Sequence, residues 1–213
     1  MKAIKKQVWS LLNALGLGGL LQLHLKSALK EYGWFRSFHT KRSVDAKGEA
    51  LPWYTYPFIA FLEPRLTNTL RVFEYGSGNS TRWYAQRVGH ITAVEHDQEW
   101  VKIVEKMLPK NTTLLIRPLD QTYEQAVATA GQTYQVVVVD GRRRVACVLS
   151  AADHLAEDGV LILDNSERDI YTEARQFMQQ RGFRSLDFYG MTPIISDESC
   201  TTVFYKTGNC LGI

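Results

Sequence analysis

Short apolar runs of β-prone residues recur through the second two-thirds of the 213-residue chain. Five of them are LRVFEY (70–75), HITAVE (90–95), TTLLIR (112–117), YQVVVVD (134–140) and GVLILDN (159–165). The stretches between them have the length of helices: TRWYAQRV (81–88), QEWVKIVEKML (98–108), YEQAVATA (123–130) and RVACVLSAADHLAE (144–157). Strands that alternate with helices predict an α/β domain with a mostly parallel sheet and helices on both faces.

The remaining runs predict the edge of this sheet. A helix near 168–181 is followed by FRSLDFY (183–189) and CTTVFYK (200–206). The short connection between these two runs is typical of an antiparallel pair. The valines of YQVVVVD are continuously apolar, which indicates a strand covered on both faces.

The first 66 residues have a different pattern. Apolar residues at positions 4, 8, 11, 12 and 15 fall on one helical face, and a cluster of glycines at 16–19 interrupts it. We predict two short amphipathic helices that pack on the core or on a partner. The predicted division is an N-terminal helical and aromatic extension (1–66) that covers the cleft, followed by the main domain (67–213). Because the helices are basic and rich in leucine, attachment to a membrane surface is an alternative.

Composition and charge narrow the class of protein. Hydrophobic residues make up 45% of the chain and charged residues 22%, as in ordinary soluble domains. A net charge of +3 argues against a nucleic-acid partner. Cys147, Cys200 and Cys210 are an odd number without metal-ligand spacing, which favours free thiols and a cytoplasmic location.

The stretch VFEYGSGNST (72–81) places an acid and two glycines at the end of the first strand. Ligands bind at that edge of an open α/β sheet. A dinucleotide fingerprint requires a third glycine, but position 81 is Thr, and the carboxylate of Glu74 would repel a pyrophosphate. S-adenosylmethionine carries an ammonium group that Glu74 can stabilise. We therefore predict that Glu74, Gly76, Ser77, Gly78 and Ser80 bind S-adenosylmethionine.

The next two strands add candidate cofactor contacts. Glu95 ends the second strand and can accept hydrogen bonds from both ribose hydroxyls, with His96 beside the adenosine. Asp120 follows the third strand, where it can meet the adenine amino group or cap the helix that begins near Gln121.

Taken in order, E-x-G-x-G at 74–78, Glu95, Asp120 and VVVVDG resemble the motifs of class I S-adenosylmethionine-dependent methyltransferases. The resemblance covers about residues 70–206. It implies a Rossmann-like, seven-stranded sheet whose last strand inserts antiparallel. It also implies that Glu74, Gly76 and Gly78 surround the methionine part, Glu95 the ribose and Asp120 the adenine.

Acids and an amide end the fourth and fifth strands, and we predict that Asp140, Asp164 and Asn165 line the acceptor pocket. Their oxygens suit a hard cation such as Mg²⁺, and they resemble the metal triad of catechol-type O-methyltransferases. That family has a lysine where this chain has Arg143, and a guanidinium cannot serve as a base. The alternative is that Asp164 and Asn165 only hold the loop NSERD.

Two further groups of residues remain open between structural and functional roles. Arg142, Arg143 and Arg144 either balance nearby carboxylates or bind an anionic acceptor. The aromatic segment before the first strand either packs on the sheet or covers the cleft, where Tyr56 would contact the cofactor and His39 could act as a base.

The function predicted from the sequence is methylation of a small-molecule or saccharide-linked hydroxyl group. Two alternatives are a non-catalytic S-adenosylmethionine-binding partner protein and a nicotinamide-dependent oxidoreductase. A homodimer is compatible with the sequence, and DNSE at 164–167 stands where enzymes that methylate exocyclic amino groups commonly have N-P-P-Y.

Overall fold

Seven strands form one sheet in the computed structural model, which describes residues 2–129 and 131–213. The strands are β1 (Arg71–Tyr75), β2 (His90–Glu95), β3 (Thr112–Ile116), β4 (Tyr134–Val139), β5 (Leu155–Asp164), β6 (Arg184–Met191) and β7 (Glu198–Tyr205). Their order across the sheet is β3-β2-β1-β4-β5-β7-β6. β1 to β5 pair in parallel, and β7 inserts antiparallel between β5 and β6. The predicted sheet is confirmed, including its antiparallel last strand.

Eleven α-helices lie in the described part of the chain, and those from α5 onward flank the sheet. The eleven are α1 (Lys2–Ala14), α2 (Gly18–Leu25), α3 (Ala28–Glu31), α4 (Trp34–Thr40), α5 (Tyr56–Leu62), α6 (Asn79–Ala85), α7 (Gln98–Val104), α8 (Gln121–Glu124), α9 (Ala126–Thr129), α10 (Arg144–Ala151) and α11 (Thr172–Gln180). Alternate residues of the central strands point to opposite faces, so Val136 and Val138 enter one core and Val137 and Val139 the other. Two cores therefore hold the strand ends in fixed positions.

Two predicted helices differ from the structure. The stretch 144–157 ends its helix at Ala151, and residues 155–157 already belong to β5, which pairs irregularly with β4 near Tyr134. The stretch 123–130 is split between α8 and α9, and its last residue lies outside the described residues. Apolar periodicity alone did not separate the end of a helix from the exposed start of a strand.

The first 66 residues contain five helices, α1 to α5, among the described residues, rather than the predicted two. The apolar face of α1 is not packed on the core, since Ile4, Leu11 and Leu15 are 65%, 62% and 62% exposed. Within the described chain, no single helix is long and apolar enough to span a membrane, and Ile4–Ala14 with Gly18–Glu31 passes that test only as a pair bent by 115°. Residues 54–62, in contrast, enter the same core as β1 and β4. The domain division at residue 66 remains a prediction.

Candidate active site

A cavity of about 250 Å³ lies where β1, β2 and β4 end. Ligands bind at this edge in open α/β sheets. Its lining residues are Glu74, Tyr75, Gly76, Ser77, Ser80, Glu95, His96, Tyr123, Asp140, Gly141, Arg142 and Arg144. Six of the predicted cofactor residues, from Glu74 to His96 in the chain, therefore meet in one place. Gly78 lies beside them and lines a neighbouring cavity of about 620 Å³.

Glycine is required at two points on the floor of the 250 Å³ cavity. Gly76 has a φ of 101°, which side chains rarely adopt, and its N–H donates to the carbonyl of Val94 at 2.9 Å. A Cβ atom on Gly141 would lie 2.1 Å from the Tyr123 hydroxyl and 3.0 Å from the nitrogen of Gly76. The loops that follow β1 and β4 thus approach each other closely, because neither carries a side chain at the contact.

Glu74 lies under the loop with 1% of its surface exposed. The hydroxyl of Thr81 donates to its Oε2 at 2.5 Å and accepts from the N–H of Gly78 at 2.9 Å, so the acid and the loop are held together. Burial raises the pKa of Glu74 to about 8, although hydrogen bonds from Ser80 and Thr81 act in the opposite direction. A cation beside it would stabilise the ionised form.

Glu95 is positioned by the turn that follows β2. Its Oε1 accepts from the backbone N–H groups of His96 at 2.7 Å and Asp97 at 3.0 Å. Its Oε2 accepts from the hydroxyl of Ser77 at 2.9 Å. A carboxylate oxygen can accept two hydrogen bonds, so Oε2 retains capacity for one ligand hydroxyl. The predicted contact with both ribose hydroxyls requires Ser77 to exchange its partner.

Asp120 caps a helix. It lies at the N-terminus of α8, exposed, and its Oδ1 accepts from the N–H of Thr122 at 2.7 Å and from the Thr122 hydroxyl at 2.6 Å. These bonds lower the pKa of Asp120. The capping role left open by the sequence is therefore present, whereas Asp120 does not line the cavity. Its contact with adenine stays a prediction.

Tyr56 and His39 lie away from this site. Tyr56 begins α5, stacks on Tyr32 with ring centroids 5.0 Å apart, and lines a separate cavity of about 340 Å³. Tyr56 does not line the cavity at the strand ends, and its contact with the cofactor stays a prediction. His39 is exposed on α4, outside the lining of the cavity at the strand ends.

The three residues predicted to hold a metal surround the guanidinium group of Arg144 instead. The group donates to Asp140 Oδ1 at 2.9 Å and to Asn165 Oδ1 at 3.2 Å, and it also bonds the backbone carbonyl of Asp164. A second Asp164 oxygen lies 3.9 Å from it. An organic cation thus occupies the centre of the predicted metal triad.

These residues do not fit a divalent cation. Arg144 already places a positive charge among their oxygens, and a metal there would be repelled. Asn165 serves the turn after β5 with a φ of 52°, a conformation that asparagine tolerates. Throughout residues 2–129 and 131–213, no cluster of three or more His, Cys, Asp or Glu side chains has an arrangement that could hold a metal ion. The Mg²⁺ prediction therefore gains no support, and we derive no step from a metal.

Asp140 and Asp164 differ in their access to the cavity. Asp164 is 2% exposed, accepts from the Thr201 hydroxyl at 2.7 Å, and lines neither the 250 Å³ nor the 620 Å³ cavity. Asp140 lines both cavities. Burial raises the pKa of Asp164, and the charge of Asp140 raises it further, while Arg144 opposes both effects. The group available for acid–base chemistry at the cavity is Asp140, whereas Asp164 and Asn165 support Arg144.

The three consecutive arginines have separate roles. Arg144 lies among the acids of the predicted triad, and Arg143 forms an ion pair with Glu124. Both therefore follow the charge-balancing alternative, although the partner Glu124 was not foreseen. Arg142 is exposed, lines the cavity, and makes no side-chain hydrogen bond or ion pair with any described residue. It remains available to an anionic group.

Tyr123 is a site residue that sequence reasoning missed. Its buried hydroxyl lines the cavity and lacks a hydrogen-bond partner in the described part of the chain. An unsatisfied buried hydroxyl is costly, so it indicates a position where a ligand group can bind. Together with two flanking acids and the glycine floor, this open hydroxyl fits a polar, cationic cofactor such as S-adenosylmethionine. Its only sequence signal was its position three residues after Asp120.

Comparisons with known proteins agree with this geometry. Residues 73–166 match a family model described as a methyltransferase domain. Among solved structures, a precorrin-6y C5,15-methyltransferase from Geobacter metallireducens is 15% identical, with a TM-score of 0.57 and coverage of 70% of this chain and 87% of that one. A methyltransferase-like protein from Silicibacter pomeroyi is 22% identical, with a TM-score of 0.51 and coverage of 74% and 90%.

A third similar structure, a protein from Streptococcus mutans assigned as a methyltransferase, was solved in complex with SAH (S-adenosylhomocysteine). It is 12% identical, with a TM-score of 0.51, and the match covers 69% of this chain and 94% of that one. Comparison with curated protein sequences finds no match. Residues 73–166 are thus similar to a methyltransferase domain, and the chain shares the Rossmann-like fold of solved class I methyltransferases.

Proposed function

We propose that the protein binds S-adenosylmethionine in the 250 Å³ cavity and methylates an oxygen atom of a small acceptor. The observation that carries the proposal is the pair of acids at one glycine-floored cavity, with Glu74 buried beneath the loop and Glu95 at its side. A pyrophosphate would be repelled by Glu95 and would oppose the ionisation of Glu74, whereas an ammonium group would favour that ionisation and a ribose would find an acceptor in Glu95.

The cofactor, when bound, supplies an electrophilic methyl group on a sulfonium. Glu74 is placed to neutralise the ammonium group, and the free capacity of Glu95 Oε2 is placed to accept from a ribose hydroxyl. The Tyr123 hydroxyl offers a further donor. Catalysis then depends mainly on holding the acceptor in line with the methyl group.

Asp140 is the candidate general base. It borders both cavities, and its link to Arg144 fixes its position at 2.9 Å. A hydroxyl acceptor must lose its proton during methyl transfer, and a positioned carboxylate can accept that proton. In favour of oxygen as the acceptor atom, the chain has DNSE after β5 in place of a motif for exocyclic amines.

Isothermal titration calorimetry with S-adenosylmethionine, SAH and NAD⁺ tests the cofactor. We expect both sulfur compounds to bind and NAD⁺ not to. Glu95→Gln should weaken their binding by about 1.5–3 kcal/mol, the magnitude of a hydrogen bond to a charged group. Glu99→Gln, an exposed change on the following helix, is the matched control. Tight binding of NAD⁺ alone would refute the assignment.

Transfer itself is tested with methyl-labelled cofactor and panels of hydroxylated acceptors. Asp140→Asn should lower turnover by about 10²-fold or more, the usual contribution of a general base, and leave SAH affinity within about twofold. Full turnover in Asp140→Asn would remove the proposed base. Binding of SAH without transfer to any acceptor class would favour the non-catalytic alternative.

For the N-terminal helices, we propose a membrane-surface role at the cytoplasmic side. The exposed apolar face of α1 carries Ile4, Val8, Leu11 and Leu15, and basic side chains accompany it in the same segment. Helices of this composition bind anionic lipid interfaces in two ways. Their apolar side chains are buried in the interface, and their basic side chains are attracted to the anionic headgroups. A second copy of the chain is the competing occupant of this face, and the corresponding experiment is described in the Discussion.

A further inference from the structure

A second cavity of about 620 Å³ adjoins the first, and Ser77, Ser80 and Asp140 line both. Its volume lies within the range of about 300–1,000 Å³ that is typical of small-molecule sites. One wall comes from α7 and the other from the segment before α5. The two cavities therefore meet at the candidate base.

The walls of this second cavity, which we call the indole cavity, are built from two fixed tryptophans. Trp100 donates its ring N–H to the carbonyl of Ser77 at 2.9 Å, and Trp53 donates to the hydroxyl of Thr192 at 3.1 Å. The two residues nevertheless remain 40% and 44% exposed. Because the polar edge of each indole is satisfied by the protein, the apolar faces are presented to whatever enters.

Aliphatic side chains complete the apolar lining. Ile103 lies one turn from Trp100 on α7, and Ile194 enters from the loop between β6 and β7. Ile194 has a φ of 78°, a backbone conformation that is strained for a β-branched residue. Asn79 donates to the carbonyl of Ser43 at 2.7 Å and so ties the loop after β1 to the opposite wall. The cavity is a built, mostly apolar feature rather than a gap between loose segments.

The mouth of the indole cavity is basic. Lys41 and Arg42 line it, and Asp140 is the one acid among its described lining residues. Lys41 lies over the ring of Phe38 at 4.2 Å, and Arg42 makes no side-chain hydrogen bond or ion pair with the described residues. A ligand that fits must combine an apolar body with a negative charge at one end.

We propose that the indole cavity is the acceptor site and that it takes a hydroxylated aromatic carboxylate or phosphate. This inference rests on the proposed methyltransferase function and narrows its acceptor class. The aromatic body would lie between Trp53 and Trp100, the anion at Arg42, and the hydroxyl at Asp140. A free sugar matches the lining poorly, since Leu51, Ile103 and Ile194 offer it no hydrogen bonds.

The reaction at this junction balances without another reactant. The acceptor oxygen forms a bond to the methyl carbon while the bond between that carbon and sulfur breaks. The electron pair of the broken bond stays on sulfur. The acceptor's proton passes to the carboxylate of Asp140. The products are a methyl ether, SAH and a proton that Asp140 later releases to water.

The test is a titration of SAH-saturated protein, followed through the indole N–H signals in two-dimensional ¹⁵N NMR spectra. The probes are 4-hydroxyphenylacetate, its cationic counterpart tyramine, and glucose 6-phosphate. We expect 4-hydroxyphenylacetate to shift the signals of Trp53 and Trp100 but not that of the buried Trp83. Tyramine should bind at least fivefold more weakly, and glucose 6-phosphate should leave both signals unchanged.

Two variants sharpen the result. Arg42→Gln should weaken the binding of 4-hydroxyphenylacetate several-fold and leave the binding of tyramine unaffected. The control is Lys206→Gln, which changes an exposed charge directly after β7, at the end of the sheet opposite the cavity. This control should change the binding of neither compound. Trp53→Leu should abolish the shift of the remaining Trp100 signal on addition of 4-hydroxyphenylacetate and should retain the affinity for SAH. In the described structure Trp53 makes no hydrogen bond to the loop after β1, and its ring N–H donates to Thr192 instead.

Several outcomes would overturn the inference. These are equal binding of the anion and the cation, tighter binding of glucose 6-phosphate, no shift at either indole, or no effect of Arg42→Gln. Loss of SAH affinity in Trp53→Leu would show that the cavity holds part of the cofactor. If SAH itself does not bind, the proposed function fails, and the same probes titrated into unloaded protein still decide whether the cavity takes an aromatic anion.

Discussion

Glu74 is buried with a pKa raised to about 8, chiefly by the loss of hydration, so most molecules hold it protonated at neutral pH. The neighbouring polar groups are Ser80 and Thr81, which donate to it, and the more distant acids Asp140 and Glu95, which oppose its ionisation. A cationic ligand must displace the proton in order to gain the full charge interaction.

We therefore expect the affinity for S-adenosylmethionine to rise with pH between 6.0 and 7.5, by up to about tenfold per unit. Calorimetry in buffers with different ionisation enthalpies should detect release of about one proton on binding at pH 7. Glu74→Gln should remove most of this pH dependence, whereas Glu95→Gln should weaken binding and keep it. A flat pH profile in the wild type would contradict the proposed contact with the ammonium group.

Arg144 is the second residue whose role was decided by three-dimensional contacts. Its side chain is 10% exposed and neutralises two acids that would otherwise be unpaired. Arg144→Leu should destabilise the protein by about 3–5 kcal/mol, as expected when one partner of a buried ion pair is removed. Arg144→Lys should cost less but still be harmful, because one ammonium cannot match the fork of bonds to Asp140, Asp164 and Asn165.

Chemical denaturation measures these free energies of unfolding, and Arg184→Leu at the exposed start of β6 is a control. Because the guanidinium of Arg144 lies among the oxygens that were predicted to bind a metal, SAH affinity and turnover should both be unchanged by EDTA. Reversible loss of turnover in EDTA, restored by Mg²⁺, would show that a cation competes successfully with the guanidinium.

Among the elements, α1 and α2 differ from the rest because their leucines face away from the core. The exposed leucines are Leu11, Leu15, Leu17, Leu20, Leu21, Leu23 and Leu25. An apolar face of this extent on a monomer marks an interaction surface. Lys5, Lys6, Lys26 and Lys30 lie in the same segment and favour a negatively charged partner.

We expect the protein to sediment with vesicles of phosphatidylcholine and phosphatidylserine in a 7:3 ratio more than with phosphatidylcholine alone, and less as salt is raised. Leu11→Asp should reduce this binding at least fivefold, whereas Ile170→Asp, an equally exposed change outside the N-terminal helices, should not. Absence of binding to both vesicles would refute the membrane proposal. A dimer in light scattering that Leu11→Asp dissociates would assign the face to a second copy.

For the whole molecule, the buried acids couple folding to pH. The pKa of Glu74 is raised from its usual 4.5 to about 8, so the folded state binds a proton that the unfolded state has already lost between these values. The stabilising effect of that proton is complete below about pH 4.5 and disappears as pH rises through 8. Burial also raises the pKa of Asp164, in the same direction as that of Glu74.

The contribution of Glu74 to the free energy of unfolding should therefore decrease from pH 5 to pH 8. Glu74→Gln, which retains the shape but cannot ionise, should lose less stability over this range than the wild type. Urea titrations at half-unit pH intervals give the comparison. Parallel curves for the two proteins would show that Glu74 does not carry the raised pKa.

The sequence alone determined the sheet, the placement of the glycine-containing loop after β1 and the two acids beside it. These features depend on local order along the chain: apolar runs predict strands, and residues that directly follow parallel strands meet at one edge. Glu74, Gly76 and Glu95 were found for that reason, because each lies within two residues of a strand end.

Only the tertiary structure decided what the remaining polar groups do. The bonds from Arg144 to Asp140 and Asn165 depend on the side-chain direction at the start of α10, which no spacing in the sequence specifies. Tyr56, Trp53 and Trp100 are similar aromatic residues in the sequence, but one packs beneath the N-terminal helices and two form the indole cavity. Their positions result from packing between segments distant in the chain, since the same apolar surface can be buried against several partners, and only the folded arrangement selects one.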